Sequence, residues 1–319
     1  MTNARELALR VLQATDAGRS KSDTLLHQAL RENTMERNDR ALATSIVYGV
    51  LRYRILLDFV IGRFYHHDIA KAAPVLLNIL RIGTFQLLYH DKVPGWAAVN
   101  ECVKLARKYK GERMAKLVNG VLRKINTDSV RLDEWLREKE EAEKLSILFS
   151  HPRWLVERWL LSYGREKCRC MLEYDNRPPL FGFRTNRLKT TAADFLSNPL
   201  FSGIDREECP LDHFFFSGDF SVFETSLNEG LLSVQNPTQA LACLLLNPFP
   251  GSTVLDLCAA PGGKSTLLAE MMGNKGSITS LDLYEQKLLK LANHARALGI
   301  SIIETRAADA RIFQPEQQP

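Results

Sequence analysis

The string Thr253-Val-Leu-Asp-Leu-Cys-Ala-Ala-Pro-Gly-Gly-Lys-Ser265 constrains this chain most, because it joins an apolar run to a helix through a proline and two glycines. A short apolar run of that kind reads as a buried strand, and Pro-Gly-Gly supplies the turn that ends it. The pattern then alternates: a helix over 264–272, a strand over 277–281, a helix over 285–298 and a strand over 301–305. The order β-α-β-α-β implies a parallel sheet, since a strand returns parallel only through a crossover. After Ser265 only 54 residues follow (319 minus 265), fewer than a doubly wound sheet uses. The first strand is central in such a sheet, so 253–257 is expected to form an exposed apolar edge that invites aggregation. The 319 residues are therefore expected to be a C-terminally truncated form of a longer protein.

With 45% hydrophobic content, the chain is long enough for two or three domains. Its amino terminus carries Arg5 and Glu6 and no secretory apolar core, and no run of about eighteen apolar residues occurs. A cytoplasmic protein that meets no membrane is the expectation. Cys102, Cys168, Cys170, Cys209, Cys243 and Cys258 lack framework spacing, so they are expected to be reduced and structural, with no metal. The net charge is +5, unevenly spread. Residues 1–127 hold 21 Lys and Arg against 11 Asp and Glu, and residues 128–319 hold 21 against 26. A basic first third facing an acidic remainder points to a polyanion at the amino-terminal domain, most simply nucleic acid.

Through 1–127 apolar positions recur three or four apart, as in Leu7, Val11 and Leu12 or Leu117, Val118, Val121 and Leu122, which predicts a helical bundle with Pro74 and Pro94 near helix starts. Residues 128–175 read as a helical connector. Its stretch 133–144 is charge-dense and is expected to form a solvated helix or connector, a linker by composition, and a helix begins at Pro152 with Gly164 offering a stop. Asn176-Arg-Pro-Pro179 breaks the chain. Residues 176–235 then fit a small α/β module, with a strand over 180–185, a helix over 191–196 and aromatic residues at strand spacing over 214–223. The run Phe214-Phe215-Phe216 either stacks RNA bases or fills a core, and at strand spacing the core is expected. An apolar helix over 239–246 opens the last segment, 236–319.

Three cofactor classes compete for the glycine turn. A dinucleotide fingerprint needs G-x-G-x-x-G, which is absent, and a Walker A loop needs a glycine where Cys258 stands. The third is S-adenosyl-L-methionine. Asp282 closes the second strand and could accept from both ribose hydroxyls, while Asp309 follows the third strand and could meet the adenine amino group. Gly262 and Gly263 would let the backbone approach the ligand without a Cβ in the way.

At these residues the chain resembles a known family. Leu255-Asp-Leu-Cys-Ala-Ala-Pro-Gly-Gly-Lys-Ser265 and Leu281-Asp-Leu-Tyr-Glu-Gln-Lys-Leu288 are similar to the cofactor motifs of RNA cytosine-5 methyltransferases. Ala97-Ala-Val-Asn-Glu-Cys-Val-Lys-Leu-Ala-Arg107 and Leu117-Val-Asn-Gly-Val-Leu-Arg123 resemble the closing helices of NusB-type RNA-binding domains. His151-Pro-Arg-Trp-Leu155, Arg184-Thr-Asn186 and Val234-Gln-Asn-Pro237 resemble the connector of the RsmB (Sun, Fmu) branch. The resemblance implies a NusB-like bundle (1–127), a connector (128–175), an RRM-like module (176–235) and the first half of a Rossmann-like methyltransferase domain (236–319). It further implies a monomer that methylates carbon 5 of a cytosine in 16S ribosomal RNA. Cys258, Ala259, Ala260, Pro261, Gly262, Gly263 and Lys264 would line the cofactor, with Asp282 at the ribose and Asp309 at the adenine. The family's Thr-Cys and Pro-Cys motifs do not occur in the sequence, so no catalytic residue is expected within it, nor turnover by the chain alone, and cofactor binding is expected to be weak or nil. A non-catalytic, antitermination-like RNA-binding protein of NusB type is the alternative.

Overall fold

A computed structural model describes residues 3–90, 93–127, 130–201, 204 and 206–314. The chain divides into two compact units, Met1–Arg177 and Pro178–Pro319.

The first unit is helical. Its elements are α1 (Ala4–Asp16), α2 (Ser22–Glu32), α3 (Arg37–Arg52), α4 (Arg54–Phe64), α5 (Pro74–Tyr89), α6 (Gly95–Thr127), α7 (Leu132–Leu136), α8 (Glu141–Phe149) and α9 (Arg153–Asp175). Asn3 caps α1 by accepting from the Arg5 amide, and Pro74 occupies the first turn of α5, where a missing N–H costs nothing. The most apolar helix is α5, which packs Ile79, Leu80, Ile82 and Phe85 into the core. Close packing there depends on glycine: a Cβ at Gly83 would stand 2.4 Å from Leu122, and one at Gly49 would stand 1.9 Å from the Phe85 ring. Helix α6 breaks at Gly111, whose φ of 78° lies in the left-handed region.

The charge-dense stretch 133–144 is helical, one of the two forms expected of it, but it is packed and not a solvated linker. It folds into α7 and the start of α8, and Leu136 and Ile147 join the bundle core. The Trp135 ring meets Phe59 and Phe64 edge-on, under the Arg63 guanidinium. Trp135 and Leu136 anchor the stretch, and Lys139, Glu141 and Glu143 are half-buried beside them. As expected, the helix that starts at Arg153 stops at Gly164, whose φ of 76° is non-helical, and a second helical segment runs on to Asp175.

In the second unit, β1 (Phe181–Thr185), α10 (Ala192–Leu196), β2 (Glu207–Glu208), β3 (Phe214–Ser217), α11 (Glu224–Asn228) and β4 (Leu232–Val234) form an antiparallel sheet of order β2-β3-β1-β4. Phe183 and Phe215 pair across one face and stack at 5.4 Å within a core that includes Phe195, Phe201 and Phe223. Phe214 and Arg184 take the other face, and Phe214 packs into the core of the following domain. Both faces are covered, so Phe214 and Phe215 are core residues, not a base-stacking platform.

Then come α12 (Pro237–Leu246), β5 (Thr253–Asp256), α13 (Gly263–Met271), β6 (Ser277–Asp282), α14 (Glu285–Leu298) and β7 (Ile303–Ala307), with a parallel sheet of order β5-β6-β7. Val254, Leu268, Ile278 and Leu298 fill its core. As expected of the first strand, β5 is an edge strand among the described residues, with Leu255 40% and Leu257 43% exposed. The last strand starts two residues later than its apolar pattern suggests, because the Ser301 amide donates to the Asn274 side chain and not to a neighbouring strand.

Candidate cofactor site

The loop between β5 and α13 is built around Asp256. This carboxylate, 7% exposed, accepts from the Ser265 hydroxyl at 2.8 Å, the Cys258 amide at 3.2 Å and the Lys264 ammonium at 3.3 Å. Ser280 of β6 donates in turn to Ser265, so strand, loop and helix share one buried polar chain. The Ala259 amide donates to the Leu281 carbonyl at 2.8 Å, and its methyl group packs with Leu288 and Leu291. Ala260 is half-buried, and Pro261 lies exposed at the turn after a cis peptide bond. Gly262 then enters α13 with φ at +114°.

The two glycines serve neighbours in the protein. A Cβ at Gly262 would lie 2.8 Å from the Leu291 side chain, and one at Gly263 would lie 3.4 Å from Gln235. The expected clearance toward a ligand is therefore not where their missing side chains point. The first turn of α13 begins at this bend, and the first amides of a helix have no partner within it.

The acids follow along the same rim. Asp282 ends β6 beside Ala307 of β7, and its carbonyl accepts from the Ala308 amide at 3.1 Å. Loop, Asp282 and residues 308–309 are thus adjacent through Ala259–Leu281 and Asp282–Ala308 bonds, at the carboxyl ends of parallel strands, where open α/β sheets bind ligands. One Asp282 carboxylate oxygen accepts from the Tyr284 amide, and the other has no partner among the described residues. Asp309 is different. Its carboxylate is gripped by Arg311 through Nε at 3.0 Å and Nη2 at 2.5 Å, and that guanidinium holds its pKa below the ordinary value. Asp309 must leave Arg311 before it can accept from a ligand.

Lys264 folds back onto Asp256 and the Cys258 carbonyl instead of reaching outward as a phosphate-binding lysine would. A groove of about 320 Å³ lies beside β5 and adjoins the loop, lined by Cys243, Leu246, Leu255, Cys258 and Lys264 among others. Burial pushes the Cys243 thiol up to about 11 and Cys102 to about 12, and raises Cys168 too, the reverse of what a nucleophilic thiolate requires. Cys258 lies exposed in the loop. Among the described residues no group of His, Cys, Asp and Glu could hold a metal ion, and no helix is long and apolar enough to cross a membrane.

Residues 2–127 match the NusB family, residues 151–211 the "Methyltr_RsmF/B-like, ferredoxin-like domain", and residues 243–318 the family described as 16S rRNA methyltransferase RsmB/F. The chain is 33% identical over 334 aligned residues to the probable ribosomal RNA small subunit methyltransferase B of Bacillus subtilis (strain 168), covering 99% of this chain and 71% of that protein. It belongs to the ribosomal RNA small subunit methyltransferase B family. A Synechocystis protein of the same name is 32% identical, with 100% of this chain and 72% of the relative covered. The crystal structure of PH0851 shares the fold, at a TM-score of 0.71 and 24% identity over 97% of this chain and 70% of that one.

Within this methyltransferase B frame, two features escaped the sequence reading. Asp256 organises the loop, and its position at the end of an apolar strand was a usable signal. Arg184, wholly buried, donates to Glu270 at 2.7 Å and to the Gly263 carbonyl at 3.1 Å. Burial raises the Glu270 carboxyl above its usual range and lowers the guanidinium, while each charge favours the other. Nothing local in Phe-Gly-Phe-Arg-Thr announces that pairing.

Proposed function

We propose that this chain carries the donor site of an S-adenosyl-L-methionine-dependent methyltransferase acting on carbon 5 of a cytosine in 16S ribosomal RNA, in the cytoplasm and as a monomer. The supporting observation is the stitched rim, in which the loop at Ala259 hydrogen-bonds to the residue before Asp282 and Asp282 to Ala308. These residues suit the donor chemically: a half-exposed carboxylate with a free oxygen for ribose hydroxyls, and helix-start amides for a carboxylate. Cys258 to Lys264 would line it, Asp282 would hold the ribose, and Asp309, once released from Arg311, the adenine side. Bound there, the donor supplies an electrophilic methyl group.

Carbon 5 of cytosine is a weak nucleophile, so a thiolate must first add at carbon 6 and a base must later remove the carbon 5 proton. The thiols of this chain are poor candidates. Burial raises the thiols of Cys102, Cys168 and Cys243, Cys209 packs against the core of the second unit, Cys170 lies on α9 of the first unit, and Cys258 belongs to the donor loop. We therefore assign no nucleophile to these 319 residues and expect no turnover from them alone. The basic surplus of residues 1–127 supports RNA docking through the first unit. The loop and Asp282 are both in place, so, against the sequence expectation of weak or nil binding, the chain should bind the donor measurably, and equilibrium dialysis with S-adenosylmethionine tests that site. Asp282→Ala should weaken binding by about 1 to 3 kcal/mol, and unchanged affinity would overturn the reading.

A further inference from the structure

The geometry points to Arg184 as a positioning residue that sets the cofactor loop from within the ferredoxin-like module, an inference resting on the reading of that loop as the donor site. Arg184 lies on β1, in the interior of the four-stranded sheet. Its Nη1 donates to the Gly263 carbonyl at 3.1 Å and to the Gln235 side-chain oxygen. Its Nη2 donates to Glu270 at 2.7 Å and to the Thr266 hydroxyl at 3.2 Å. One planar group thus holds α13 at its first carbonyl, one turn in and two turns in. Gln235 abuts Gly263 from the same side, and its amide donates to the Gly182 carbonyl of β1 at 2.9 Å. Two residues beyond Arg184, Asn186 donates to the Gly230 and Leu298 carbonyls, and Lys189 donates to Ala297. The segment therefore grips the start of α13, where the loop ends, and the end of α14.

A purely stabilising role fits this network poorly. A buried ion pair loses solvation that well-packed apolar residues of similar volume would not lose. Here Arg184 Nε and Gln235 Nε2 are in addition buried without partners, a further cost. What the guanidinium offers is direction, because its rigid fork fixes several acceptors at once. Lysine would keep the charge beside Glu270 but could not hold Gly263, Thr266 and Glu270 together.

The test compares wild type, Arg184→Lys, the paired variant Arg184→Met with Glu270→Met, and Asp282→Ala, using the full chain. Three quantities are read: the melting temperature, amide hydrogen exchange over 257–266 by mass spectrometry, and S-adenosylmethionine affinity by equilibrium dialysis. The paired variant should melt near wild type yet show exchange about tenfold faster in that segment and an affinity about tenfold weaker. Arg184→Lys should show the same local loss, and Asp282→Ala should weaken binding with exchange unchanged. Wild-type exchange in either Arg184 variant overturns the positioning role and leaves the donor site intact. Global unfolding of Arg184→Lys overturns it too, since the residue would then serve the whole unit. Unchanged binding in Asp282→Ala removes the donor reading, while the exchange data still judge the loop.

Discussion

Gly262 concentrates the residue-scale constraints of the site. Its φ of +114° is open to glycine and costly for any L side chain, and the space a Cβ would need is filled by Leu291, itself fully buried. Gly262→Ala should therefore destabilise the second unit by about 2 to 3 kcal/mol, read as a lower urea midpoint for its unfolding. An unchanged midpoint would mean the loop relaxes freely. The need for glycine was legible in the sequence, but the reason was not. Leu291 belongs to the helix after next, and local patterning cannot show which helix residue will sit against a turn.

Among the elements, the clamp between α1 and α6 should make the first unit less stable in acid. Glu6 is buried against Lys108 at 2.8 and 2.9 Å, with Arg10 at 3.2 Å and the Tyr109 hydroxyl at 3.3 Å. Burial alone would raise its pKa, but the Lys108 bonds and charge, with Arg10 and Tyr109, outweigh burial and lower it. A carboxylate lowered by folding stabilises the fold above its unfolded value of about 4.3 and loses that contribution as pH falls through the folded value. Glu6→Gln should cost about 1 to 2 kcal/mol at neutral pH and nothing in strong acid. Thermal unfolding of both forms from neutral pH down to the acid limit checks this, and parallel curves would contradict it. Elements with strong local signals were the legible ones. The α14 boundaries, the Pro74 start and the β-α-β-α-β order all follow from periodicity and caps. Elements set by distant partners were not legible. Stretch 133–144 looks solvated until Trp135 meets Phe59 and Phe64, and β7 shifts because the Asn274 side chain takes the Ser301 amide.

At the scale of the molecule, a basic helical unit precedes a second unit in which an antiparallel module backs the start of a parallel sheet. Among the described residues, both faces of the module's sheet are largely covered. One side is closed by its own phenylalanine core, and the other carries Arg184 and Phe214 against the domain that bears the loop. That division explains why the donor loop could be read from a short string while its support could not. The loop's residues are contiguous, whereas its support spans β1, Gln235 and α13. Crystals of the chain soaked to saturation with S-adenosylhomocysteine test the central claim most directly. The account predicts density at the rim, with the ribose hydroxyls on Asp282 and the ligand against residues 258–264. Density away from Asp282, or on the first unit, or none at the rim, would contradict it.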